Sequence, residues 1–170
     1  MALHTFVAGD VLEAQQLNDS FAAVGGAVLQ VKSTTITGTF STTSTSFVDV
    51  TSLSISITPT SASNKVLVII NGLARVLAGT QFPRINIVRG ATNIGQSTGG
   101  SSTNQTVAPF GVSVAGPYMN WSAAYLDSPA TTSATTYKVQ AASSGGDPIT
   151  IGGSTDHGSI STITVMEVTP

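Results

Sequence analysis

The stretch Ser52-Leu53-Ser54-Ile55-Ser56-Ile57 alternates polar and apolar residues without a break. Successive side chains of an extended chain point to opposite faces. The pattern therefore sets Leu53, Ile55 and Ile57 on a core face and three serines on the other, which predicts a half-buried strand. Thr58-Pro59 ends it, because proline has no N–H to give to a ladder. Residues 61–64, Ser-Ala-Ser-Asn, follow as a turn. The next segment, residues 65–76, opens with Val66-Leu67-Val68-Ile69-Ile70. It is apolar on both parities, as expected of a strand at the centre of a sheet.

The same reading extends in both directions. Toward the N-terminus, Phe47, Val48 and Val50 follow a polar turn at residues 41–46, and residues 27–32 and 34–40 read as two further strands. Toward the C-terminus, residues 84–89 carry Ile85 and Ile87 on one face and Val88 on the other, and Gly90-Ala91-Thr92-Asn93 makes a hairpin into Ile94. Residues 96–105 contain no apolar residue and predict an exposed loop. Strand patterns resume at residues 107–114, 118–126 and 135–141, the last through Tyr137 and Val139. Ile149 and Ile151 mark a short strand. In residues 160–168, Ile163, Val165 and Glu167 alternate against Thr162, Thr164 and Met166. About nine strands at this spacing predict an all-β fold, an antiparallel β-sandwich or jelly roll.

The first 26 residues are different. Asp10 is placed to cap a helix, with Glu13 in capping-box position. Ala14, Leu17, Phe21 and Val24 are spaced three, four and three apart, the seam of a short coiled coil, before Gly25-Gly26 stops it. A helix this short is marginal alone, so it must dock on its own domain, on sister helices or on another protein. The chain thus divides into an N-terminal arm and short α-helix over residues 1–26, for anchoring or assembly, and a β-domain over residues 27–170.

Composition narrows the function. Only 8% of the 170 residues are charged, against roughly a quarter in ordinary soluble domains, and the net charge is −2. Ser and Thr take the place of the missing ions, and neighbouring copies of such a surface repel one another little. Six cationic residues, scattered along the chain, argue against nucleic-acid binding. The absence of cysteine removes disulfides and thiolate zinc sites and suits a protein made in a reducing cytoplasm. No apolar run approaches the roughly 20 residues of a membrane span, so membrane insertion is not expected.

Several phrases resemble bacteriophage virion proteins. The opening Phe6-Val7-Ala8-Gly9-Asp10-Val11-Leu12-Glu13-Ala14 with Leu17-Asn18 is similar to the start of many tail-fibre and tail-associated proteins. Residues 40–50, Ile57-Thr58-Pro59, Val88-Arg89-Gly90, Tyr125-Leu126-Asp127-Ser128-Pro129 and the ending at residues 161–168 resemble a β-domain frequent in phages. The resemblance touches most of the chain. It implies a non-catalytic fibre, spike-base or capsid-decorating subunit, often a homotrimer, held to other tail or capsid proteins of the virion.

Little in the sequence speaks for chemistry. The nucleophile elbow G-x-S-x-G is missing, and Asp156-His157 in a Gly-rich stretch is a single dipeptide, read as a solvated loop. No catalytic residue, metal ligand or cofactor is expected. One binding site is a candidate. Trp121, Tyr118 and Tyr125 would form a stacking platform for a host surface glycan if exposed, and core or interface packing if buried.

Overall fold

The computed structural model describes residues 27–78, 82–96, 108–109, 116, 118–152 and 159–170. Among them every regular element is a strand: β1 (Val28–Ile36), β2 (Thr39–Thr42), β3 (Val48–Ile57), β4 (Lys65–Val76), β5 (Pro83–Arg89), β6 (Thr92–Ile94), β7 (Ala108–Pro109), β8 (Tyr118–Asp127), β9 (Thr135–Ser143), β10 (Ile149–Gly152) and β11 (Ser161–Val168). The arm and helix expected over residues 1–26 lie outside the described residues.

All pairings are antiparallel and form two sheets. In the first, β4 is central, as its two-sided apolar pattern predicts. β8 covers one edge of β4 along its length, while the other edge is shared by β11 and then β10. β1 lies outside β11, and β2 outside β10. The second sheet runs β3-β9-β5, with β6 and β7 sharing the far edge of β5. The long pairings are nested: β1 with β11, β3 with β9, β4 with β8, β5 with β6. A chain doubled into one long hairpin and then rolled into two sheets gives this order, which is the order of a jelly roll.

One core lies between the sheets. Val66, Val68 and Ile70 of β4 and Ile163 and Val165 of β11 meet Leu53, Ile57, Ile85, Ile87, Tyr137 and Val139 from the second sheet. The side of the roll is closed by side chains of β1 that reach the backbone of β3 and of Thr58 just beyond it. Gln30 donates to Thr58 O at 2.7 Å, Lys32 to Ser56 O at 3.1 Å and Thr34 to Ser52 O at 3.5 Å. These bonds occupy carbonyls on an edge that would otherwise stay open to another strand.

The structure corrects two boundaries. The boundary between the two strands expected over residues 27–32 and 34–40 is not at Ser33: β1 runs on to Ile36, and residues 39–40 open β2. The polar run through Ser33 continues β1 because it pairs with Thr162 and Thr164 of β11, hydroxyl to hydroxyl. The phrases around Val50 and Leu53 belong to one strand, β3. Five steps along it, Asp49 to Ser54, oppose two along β9, Gln140 to Lys138, an excess of three residues. An odd excess inverts the side-chain parity, so that Val50 and Leu53 both face the core. Ser52 absorbs the distortion at φ 71°.

Candidate assembly face and ligand cleft

An antiparallel sheet with one solvated face normally carries polar residues there. The outer face of the first sheet departs from that rule at one end. Val31 pairs with Met166, Met166 with Leu67, and Leu67 with Leu126, a straight apolar row across β1, β11, β4 and β8. Its ends are open: Val31 is 54% exposed and Leu126 47%. Val28, paired with Val168, adjoins the row on β1 and is also exposed, as is Leu29 in the bulge beside it. Moving along the sheet, the next row is mixed (Ser33, Thr164, Ile69, Ala124). The one after is polar (Thr35, Thr162, Asn71, Ser122). The apolar patch therefore lies at the end where the chain enters the domain. There Thr169 N–H donates to Ala27 O at 3.1 Å, and Ala27 N–H to Thr169 Oγ1 at 3.1 Å.

Beneath the patch, the inner face carries two buried carboxylates. Glu167 has no exposed surface. It accepts from Gln30 Nε2 (2.6 Å), Asn64 Nδ2 (2.6 Å), Thr60 N–H (2.6 Å) and Thr60 Oγ1 (2.8 Å). Burial alone would raise its pKa, but these four donors outweigh it and hold the group down at about 2. Asp127, also buried, ties the two sheets together. Arg89 Nη1 donates to both of its oxygens at 2.8 Å, and Tyr137 Oη donates to Oδ2 at 2.7 Å. Burial, then the bond to Asp127, push the Tyr137 pKa well above the usual tyrosine value. Both carboxylates are thus engaged by protein donors.

Beside Asp127 opens a cleft of about 540 Å³. The β5–β6 hairpin and its exit supply Arg89, Thr92, Asn93 and Gln96, and the end of β8 supplies Tyr125 and Asp127. Tyr125 is 37% exposed. Asn86, fully buried on β5, donates to Asn93 Oδ1 at 2.7 Å and so fixes the orientation of that amide.

The three aromatic residues of β8 do not form a common platform. Trp121 is 2% exposed and packs in the core against Gly72, its cross-strand neighbour. A buried ring offers no face to a sugar, so the packing alternative describes Trp121. Tyr118 has the opposite parity to Trp121 and stacks with Arg75, whose Cζ lies 5.0 Å from the ring centroid. Tyr125 shares the parity of Trp121 and lines the cleft. Ala14, Leu17, Phe21 and Val24 lie outside the described residues, as do Asp156, His157 and all of the 96–105 loop except Gln96. Sequence reasoning did not single out Arg89, Asn93 or Asp127 as cleft residues. Arg89 and Asp127 are 38 residues apart in the chain, and only the pairing of β5 and β8 into different sheets brings them together. Among the described residues no three His, Cys, Asp or Glu side chains are grouped to hold a metal ion, and no helix is long and apolar enough to cross a membrane.

No protein-family model matches the chain, and no curated protein matches it. Among solved structures, the chain is similar to a protein in the structure of infectious bursal disease virus, Gx strain, with 13% identity and a TM-score of 0.43. The match covers 85% of this chain and 43% of that one, so the chain spans less than half the length of the viral protein. At this identity and superposition the likeness is no basis for assigning a family or a role.

Proposed function

We propose that this protein is a non-catalytic structural subunit of a bacteriophage particle. In this reading it is a trimeric tail-fibre or tail-associated protein whose copies meet through the outer face of the β1-β11-β4-β8 sheet. The observation that carries the reading is the row Val31–Met166–Leu67–Leu126. Single exposed apolar side chains are ordinary on soluble proteins, but a contiguous row across four strands marks a contact surface. A second copy is the occupant that best fits it. The charged residues of this face are Lys65, at the border of the patch, and Arg75, toward the other end of β4, so the apolar row itself is uncharged and opposes a second copy little. The 26 residues that precede the domain, with their expected coiled-coil seam, join it at Ala27 on the border of the patch and would tether sister copies there. The resemblance of the sequence to phage virion proteins and the jelly-roll order, recurrent in viral capsid and lectin domains, support the same reading. The engaged state of Glu167, which has no accessible surface, and of Asp127, held by Arg89 and Tyr137, supports the non-catalytic part.

The test is the mass of the intact chain in solution by light scattering. A trimer is expected, and Val31→Lys with Leu126→Lys should convert it to monomers with an unchanged circular-dichroism spectrum. An intact chain that is monomeric at all concentrations would remove the proposal. Location of its density in images of whole particles separates a tail position from the alternative, a capsid-decorating one.

A further inference from the structure

We infer that the cleft between the β5–β6 hairpin and the end of β8 is a binding site for a neutral saccharide, with the Tyr125 ring stacked on one sugar face. The inference goes beyond the structural role and does not depend on it. Three features carry it. First, the volume of about 540 Å³ is within the range of small-ligand sites and suits a short oligosaccharide. Second, Tyr125, the one aromatic ring among the described residues that line the cleft, is partly exposed. An aromatic face packs well on the C–H face of a pyranose while its hydroxyl stays wet.

Third, the remaining lining is mostly polar, with Ile94 and Leu126 its apolar members, and its one ion pair is internally matched. Arg89 and Asp127 neutralise each other through two bonds of 2.8 Å, so the floor presents dipoles more than net charge. A phosphate or carboxylate ligand would have to compete with Asp127 for Arg89, and a cationic ligand with Arg89 for Asp127. A neutral polyol meets neither penalty. Thr92, exposed at the hairpin, is the cross-strand partner of Arg89 and so stands on the same face of the sheet. A hydroxyl on that face, beside an aromatic ring, can exchange hydrogen bonds with sugar hydroxyls. Trp121, buried behind β8, holds the strand in place and takes no part in contact.

Saturation-transfer difference NMR on the full chain tests this with glucose, galactose, mannose, rhamnose, N-acetylglucosamine and, as charged probes, glucuronate and sialic acid. At least one neutral sugar should receive saturation, strongest at the C–H protons of one ring face. Tyr125→Ala should weaken its apparent affinity about tenfold. Tyr125→Phe, which keeps the ring, should retain binding, and Ser54→Ala, exposed on β3, should leave it unchanged. The inference fails if no neutral sugar receives saturation, if only the charged probes do, or if Tyr125→Ala binds as the parent does.

Discussion

Glu167 and Asp127 flank Val66 on one cross-strand row of the first sheet, a buried carboxylate on either side of a buried valine. Each is satisfied by a different device, amide and hydroxyl donors for Glu167 and an arginine with a tyrosine for Asp127. Together they close one end of the core with polar groups in fixed places.

The Glu167 device makes stability depend on acid. Its folded pKa of about 2 is below the ordinary 4.5, so the ionised group stabilises the fold above the ordinary value, and this contribution is lost as pH falls from there toward 2. The gap corresponds to about 3 kcal/mol. Urea unfolding measured across this interval should show the parent losing stability steeply. Glu167→Gln should start about 2–3 kcal/mol less stable at neutral pH, because an N–H₂ replaces an acceptor among four donors, and should lose less on acidification. Equal slopes for parent and variant would show that Glu167 does not carry the acid response.

Tyr137 acts at the other extreme of pH. Its folded pKa is raised, so its contribution is complete below the ordinary tyrosine pKa near 10 and declines as pH rises above that value. Absorbance of phenolate should therefore appear for this residue only together with loss of the fold. Tyr137→Phe should abolish that coupled step. It should also cost about 1–3 kcal/mol at neutral pH, since Asp127 loses a buried donor.

Gly72 lies on β4 at the point where its neighbour changes from β11 to β10. A Cβ there would come within 2.5 Å of Trp121 Cζ2 and closer still to Ser161 Oγ. Ser161 cannot simply turn aside, because its hydroxyl accepts the Leu73 N–H at 3.3 Å in the gap between the two neighbours. Gly72→Ala should destabilise by about 1–3 kcal/mol, as overpacking does, and should red-shift Trp121 fluorescence. Combining it with Trp121→Leu should recover part of the loss arising from the clash. Additive losses in the double variant would exclude the contact as the cause.

Ser52 holds a left-handed backbone, φ 71°, which costs an L-residue roughly 1 kcal/mol and glycine little. Ser52→Gly should leave stability level or raise it by up to about 1 kcal/mol in thermal or urea unfolding. Ser52→Val should lower it by more, with the β-branched side chain set against the backbone.

The sequence is most informative where one side-chain parity is apolar. Ser52 to Ile57 and the alternation of β11, Glu167 included, take the faces their patterns require. The true end of β1 was not legible, because Ser33, Thr34 and Thr35 have no parity signal, and Ser33 and Thr35 are held by hydroxyl pairs with a strand more than a hundred residues away. The excess of three residues in β3 was present as a clash of phase between Val50 and Leu53, but only the pairing with β9 shows how it is resolved. The aromatic residues of β8 were identifiable as candidates, whereas their separation needed the strand's orientation. Tyr125 remained at the surface, and Trp121 and Tyr118 found Gly72 and Arg75.

Because β1 and β11 run antiparallel, the chain enters and leaves the domain at one corner, where Ala27 and Thr169 are bonded to each other. A pull applied between the two ends would load the rungs of that ladder singly and in succession, as in opening a zip. Of β1's side chains only Ile36, at the far end, is buried. Tension across this corner would therefore peel β1 away long before it strained the core, whereas a load borne by the broad sheet face would be shared among four strands at once.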